Sequence, residues 1–317
     1  MRAIIVGDVH IADRPPSARK DGYREDILEK LEWVVDYSND NDSDVLLLLG
    51  DLFHVPRPDR NSHGLVQSTA AVLGRSNAPV RIVPGNHDLV NTVLTSLPTQ
   101  PLGTLCLHPN IDLLIGPDPE FPMFGVPFVD PTPENLDYWA EKYHADGGPD
   151  KYPTVPTHQG IFPLAETPIY EFVAAEEWSS NFEAKFTPYG HIHSRMNAGA
   201  FYEIGGTWFC NNGAISRGSL HDETIHRELA ITEFDDSDAD TPYTSVPIPF
   251  KPPEEVFDLD SVFLQKERKA QVADFLESLG STELTYLTAE SLIAQARSIK
   301  GLTKKAVDEL EDIILSR

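Results

Sequence analysis

Apolar residues in the first half of this chain follow two alternating rhythms. Residues 3–6, 45–49 and 80–83 are short β-rich runs, with the composition of buried strands. Between the first two, residues 24–37 place Ile27, Leu28, Leu31, Val34 and Val35 at helical spacing. A more polar, helix-compatible stretch covers 61–73. This alternation of buried strands and amphipathic helices predicts an α/β layered fold. A strand at 123–126 and a helix at 134–143 follow. From 154 to 234 the pieces shorten, with strands expected around Thr154, at 186–189, and near Phe201, Phe209 and Leu229.

Residues 235–240 read as an acidic turn, and 247–253 hold four prolines, the mark of an extended linker. Helix formers then dominate 262–279, 289–299 and 303–315. The expected organisation is a main domain at 1–245, a Pro-rich linker at 246–261 and a helical segment at 262–317.

Four short polar strings sit just after predicted strands: Gly7-Asp8-Val9-His10, Gly50-Asp51-Leu52-Phe53-His54, Gly85-Asn86-His87-Asp88 and Gly190-His191-Ile192-His193. A fifth, Thr157-His158-Gln159-Gly160, follows the strand near Thr154. Ligand sites of open α/β sheets form outside the carboxyl ends of strands, so the five loops can converge. Together they offer carboxylate, amide oxygen and imidazole but no thiolate. That set suits manganese, iron or zinc better than magnesium alone, which prefers mostly oxygen. Alternate residues of an extended segment point the same way, so Asp8 with His10, and His191 with His193, present paired donors. Asp51, with two carboxylate oxygens, is suited to bridge two ions. Any one string taken alone is an ordinary loop; the ordered set predicts a dinuclear site.

Composition narrows the setting. No run of eighteen apolar residues exists, so a membrane-spanning helix is not expected. Chemistry-bearing residues begin at position 8, which leaves no leader to discard. Cys106 and Cys210 lie far apart and match no zinc or redox spacing, as for reduced thiols in a cytoplasmic protein. The formal charge of −25 opposes binding to a polyanion over a Debye length of about 8 Å at physiological salt. Two readings stay open: the acid is a solubility device away from the site, or the protein works at high salt.

The ordered strings resemble the calcineurin-like metallophosphoesterase superfamily. Many of its phosphatases continue Gly-Asp-x-x-Asp, whereas here the third residue after Asp51 is His54. That His54, followed by Arg57-Pro58, resembles the SbcD-type nuclease subunit of the double-strand-break repair complex, as do the strings at 157–160 and 212–219. The resemblance covers about 1–235 and implies a four-layered αββα sandwich with two manganese ions. It implies that Asp8, His10, Asp51 and His193 hold the first ion, and Asp51, Asn86, His158 and His191 the second. His87 would protonate the leaving oxygen and His54 would position the substrate strand. It further implies a homodimer through helices at 61–73 and 90–97, and an SbcC-type ATPase as partner. Asp88 reads as an anchor for a neighbouring loop.

The expected function is therefore a DNA exonuclease on duplex ends and endonuclease on single strands, acting in break repair or recombination. The alternative is a phosphatase or phosphodiesterase acting on a small molecule or phosphoprotein. No Gly-x-x-x-x-Gly-Lys-[Ser/Thr] string occurs, so an ATP motor would be a separate chain. The resemblance implies a DNA-capping domain after the core and then a helical docking segment. The stretch after the acidic turn is too short for both at usual size, so the capping domain is expected to be absent or minimal. DNA contacts are accordingly expected from Arg14, Arg19, Lys20, Arg24, Arg57, Arg60, Arg195 and Arg217 beside the ligand loops, and docking from the helices of 262–317.

Overall fold

A computed structural model describes residues 1–16, 19–163, 172–194, 200–218, 225, 227–237 and 242–260. The chain divides into two compact units, Met1–Val256 and Phe257–Arg317. The helices expected at 262–317, and Arg195, lie outside the described residues.

The first unit is built on a parallel run of strands. β1 (Arg2–Val6) lies beside β2 (Val45–Leu48), β2 beside β3 (Val80–Ile82), and β3 beside β4 (Ile111–Leu113). Two antiparallel strands complete the sheet on the other side of β1, later in the chain: Ala230–Asp235 and Tyr243–Pro247. A second sheet pairs Phe186–Pro188 in parallel with Thr207–Cys210, which turns back antiparallel to Phe201–Ile204. Single parallel bridges extend it through 154–157 to 123–126.

Strand alternation sorts the apolar residues into three cores. Ile4, Val6, Leu46, Leu48, Val80 and Ile82 face α1 (Tyr23–Asp40) and α2 (His63–Leu73). Ala3, Ile5, Val45, Leu47, Leu49 and Val83 point the other way, onto Met123, Phe186, Cys210 and Phe234 between the sheets. The outer face of the second sheet packs on two further helices, Pro133–Ala145 and Ala175–Phe182, through Trp139, Tyr143, Trp178 and Phe182. This is the αββα sandwich. Period-2 alternation produces it, because strands buried on both faces need a separate apolar layer for each. Each such side chain, when fully buried, contributes roughly 1.5–3 kcal/mol.

Local chemistry explains where the helices begin. Ser62 caps α2 by accepting from the amide of Leu65 at 3.1 Å. Thr132 caps the helix Pro133–Ala145 in the same way, with Pro133 in the first turn where no amide hydrogen is needed.

Two expectations change. Residues 90–97 form no α-helix: short 3-10 turns at Val90–Thr92 and Leu94–Thr99 hold left-handed Asn91 and Thr92, and Pro98. The linker expected from 246 begins inside the edge strand Tyr243–Pro247, and Ile248 continues it by donating to the carbonyl of Leu229. An edge strand tolerates proline because its outward amide needs no partner. Among the described residues, no helix is long and apolar enough to cross a membrane.

Candidate metal centre

The parallel strands of both sheets end at one place, and the five polar strings meet there. Two backbone approaches show why glycine precedes the ligands. Gly50 has φ of 102°, and a Cβ on it would collide with the His158 ring. A Cβ on Gly85 would collide with the Asp51 carboxylate. The ligands also bend their own backbone: His10, Asp51 and His191 have φ of 51°, 46° and 70°, a region few side-chain-bearing residues adopt. Neighbouring loops hold them there. The amides of Val9 and His10 both donate to the Asp51 carbonyl, and the amide of His191 donates to Asp8 Oδ1 at 3.0 Å.

The ligand atoms form two neighbouring groups. Asp8, His10, Asp51 and His193 each offer one atom within 4.8 Å of the others. Here His10 Nε2 stands 2.9 Å from His193 Nε2 and 3.6 Å from Asp51 Oδ2. In the second group, Asn86 Oδ1 lies 3.2 Å from His158 Nε2 and 3.0 Å from His191 Nδ1, and His158 Nε2 is 3.3 Å from Asp51 Oδ2. Asp51 Oδ2 therefore stands against both groups. Asp8, His10, Asp51 and His158 are buried, while the His193 side chain is half exposed and marks the open side.

The residues fit divalent ions. Asp8 Oδ2 is buried and makes no hydrogen bond, although His193 Nε2 lies 3.2 Å away. Two buried carboxylates and several imidazoles converge with few protons to share, an arrangement a cation completes. Burial alone would push the His158 imidazole down, yet Asp51 and Asp8 hold its pKa up to about 10. The site thus draws positive charge, which a metal ion supplies in place of a proton. Burial, helped by the charge on His158, pushes His191 down to about 4. Its imidazole is therefore neutral at neutral pH and its lone pair open to an ion.

Around the ligands, Asp88 accepts from the amides of Gly85 at 3.0 Å and Phe53 at 3.3 Å, tying two ligand loops together. Burial and the nearby Asp51 charge push its pKa up to about 7. Asp51 Oδ1 accepts from the amide of His87 at 2.7 Å. His87 and His54 lie at the mouth, both half-buried, with ring centroids 5.6 Å apart. His87 Nδ1 is 2.5 Å from the His54 carbonyl, which can only accept, so Nδ1 carries the hydrogen.

The cationic candidates separate. Arg14, Lys20, Arg57 and Arg60 are exposed, with Arg57 clasped by Asp59 at 2.8 Å. Arg24 is paired with Asp13 at 3.0 Å. Arg19 and Arg217 are buried, 7% and 0% exposed. Arg19 pairs with Asp26, and Arg217 donates to the carbonyls of Ile225 and Lys251. Spacing along the chain could not reveal this, because α1 covers Arg19 and residues distant in sequence, at 225 and 250–251, cover Arg217. Two contributors escaped the sequence reading. Phe128 packs against His191 and His158 at 5.3 and 6.1 Å, and Asn211 Nδ2 bonds the Tyr189 carbonyl ahead of the His191 loop. A lone aromatic or asparagine in a loop carries no signal that would single it out.

Comparison with known proteins identifies the family and the fold. Residues 1–195 match the calcineurin-like phosphoesterase family, and the chain belongs to that family. It is a metal-dependent phosphoester hydrolase. No curated protein matches the sequence. Among solved structures, TT1561 of Thermus thermophilus is similar with a TM-score of 0.50 at 14% identity, covering 77% of this chain and 98% of that one. Another crystal structure has a TM-score of 0.51 at 13% identity, covering 78% and 99%. A dimetal phosphatase from Danio rerio has 0.49 at 15%, covering 74% and 91%. At these identities the likeness to the first two is one of fold.

Proposed function

We propose that this protein is a manganese-dependent nuclease acting on DNA ends and single strands. The observation that carries the reading is the His54–His87 pair at the mouth. A nucleic-acid strand brings flanking phosphates to the rim, where a carboxylate three residues after Asp51 would repel them. His54 removes that charge, and exposed Arg57 and Arg60 follow it on the same loop.

When bound, the ions supply an activated water and charge neutralisation for the phosphodiester. The chain does the rest. Asp8, His10, Asp51 and His193 would hold one ion, and Asp51, Asn86, His158 and His191 the other. With Nδ1 of His87 donated to the His54 carbonyl, its Nε2 can protonate the leaving oxygen only as imidazolium. His54 fixes the His87 ring through that carbonyl and meets the substrate strand with its own ring. On this reading two copies pair through α2, and a separate ATPase chain docks on residues 262–317.

The charge of −25 favours the second reading, a phosphatase on a small molecule or phosphoprotein. The test is end-labelled duplex, hairpin and single-stranded DNA with manganese against EDTA, beside p-nitrophenyl phosphate. Manganese-dependent shortening of labelled DNA is expected. Rapid monoester hydrolysis with intact DNA would overturn the nuclease reading.

A further inference from the structure

A second metal-binding grouping overlaps the first. His10, His54 and His87 each bring one ring nitrogen within 4.8 Å of the others. Their ring centroids are 5.5 Å apart for His10 and His54, 4.8 Å for His10 and His87, and 5.6 Å for His54 and His87. We propose that these three histidines form an inhibitory site for a borderline-soft transition ion such as Zn²⁺, an ion additional to the catalytic pair at a site that shares His10 with it.

Three features carry this. The grouping contains only imidazole, whereas the catalytic groups are anchored on Asp8 and Asp51. All-nitrogen ligation favours zinc, copper or nickel and disfavours manganese, so manganese loads the carboxylate-bearing groups and leaves this one open to zinc. Next, the nitrogens are ready to bind. His54 Nδ1 is buried without a hydrogen-bond partner, and His87, with Nδ1 protonated, keeps Nε2 as its ligating nitrogen. His10 Nδ1, also buried without a partner, ligates by releasing its proton to solvent, so that His10 bridges as imidazolate. Finally, the two outer rings are only half-buried, so a slight inward turn brings the nitrogens to Zn–N distances of about 2.0–2.1 Å.

The consequence follows from position. His87 Nε2 on an ion carries no proton, and an ion between His54 and His87 stands where the substrate strand enters. His10 belongs to both groupings, so the extra ion pulls on a catalytic ligand as well. Zinc in excess therefore stops the manganese-loaded enzyme by adding an ion, not by replacing one.

The test uses the full chain loaded with manganese and dialysed against increasing ZnCl₂, with bound metals counted by elemental analysis. Hydrolysis of bis-p-nitrophenyl phosphate is followed in parallel, so the outcome does not depend on DNA being the substrate. Wild type is expected to retain its manganese, take up one additional zinc per chain and lose hydrolysis as that zinc binds. His54→Asn is expected to retain the same manganese without the additional zinc. Zinc uptake matched one for one by manganese loss would overturn the proposal, as would His54→Asn binding zinc like wild type. If circular dichroism shows that His54→Asn misfolds, His87→Gln takes its place under the same two criteria.

Discussion

The Tyr23 hydroxyl donates a 2.7 Å hydrogen bond to the main-chain carbonyl of His10. Tyr23 opens α1 and is buried beneath the ligand loop, with the Arg19 guanidinium 4.9 Å from its ring centroid. His10 is held with φ of 51°, so this bond secures a strained ligand from below. Tyr23→Phe keeps the ring and removes only the donor. It is expected to weaken binding of the ion held by His10 by about 10–100-fold while turnover at saturating metal stays near wild type. Isothermal titration gives the affinity; an unchanged value would free Tyr23 of this role.

Asp51 touches both ligand groups through Oδ2. Asp51→Asn removes a charge from both, and metal content by elemental analysis is expected to fall steeply. A chain that still holds two ions per copy would exclude bridging.

His87 has its Nδ1 committed to the His54 carbonyl. On the nuclease reading, His87→Gln is expected to keep its bound metal and its affinity for DNA while turnover falls on the order of 10²–10⁴-fold. Activity within a few-fold of wild type would remove it from proton transfer, and lost manganese would make it a ligand.

Arg57 is bound to Asp59 by two contacts, at 2.9 and 2.8 Å, on an exposed turn. If Arg57 meets DNA phosphate, it must leave Asp59. Asp59→Asn should therefore tighten DNA binding. Arg57→Ala with Arg60→Ala should weaken it and flatten its salt dependence by about one unit of slope per lost phosphate contact. Hydrolysis of a small phosphodiester is the control, and a parallel loss there would show that these residues support the fold instead.

Lys30 of α1 is buried beside Asp26, with Arg19 and Arg217 also near. Burial pushes its pKa down from 10.5 to about 8 despite Asp26. Between those values the unfolded chain holds more protons at this position than the folded one. The group therefore makes stability rise with pH across that window and contributes no slope below it. Each unit inside the window adds up to about 1.4 kcal/mol. Urea melts of wild type and Lys30→Met at pH 7.5, 9 and 10 should show a flatter pH profile in the variant. Parallel profiles would mean that Lys30 does not titrate in this range.

The sequence by itself determined the ligand loops and most of the central elements. Strands buried on both faces read as continuous apolar runs, so β1, β2 and β3 stand out without any tertiary information. Gly50 and Gly85 announce tight approaches because no other residue fits beside His158 or Asp51. The short elements were another matter. Ile111–Leu113 and Tyr243–Pro247 become strands only because β3 and Ala230–Asp235 offer them an edge to pair with. Ala175–Phe182 is a helix whose apolar face is defined by the second sheet.

Tertiary structure alone decided which charges are usable. Arg19, Arg57 and Arg217 are equivalent cations along the chain. Packing buries the first against Asp26 and Tyr23 and the third against the 225 and 250–251 segments, and leaves the second in solvent. The same holds for histidine. That His54 and His87 face each other over His10, and that Tyr23 grips the His10 carbonyl, depends on loops from separate strands meeting in space. Spacing along a chain records which residues a loop carries, whereas distances between loops are set by the packing of the sheets beneath them.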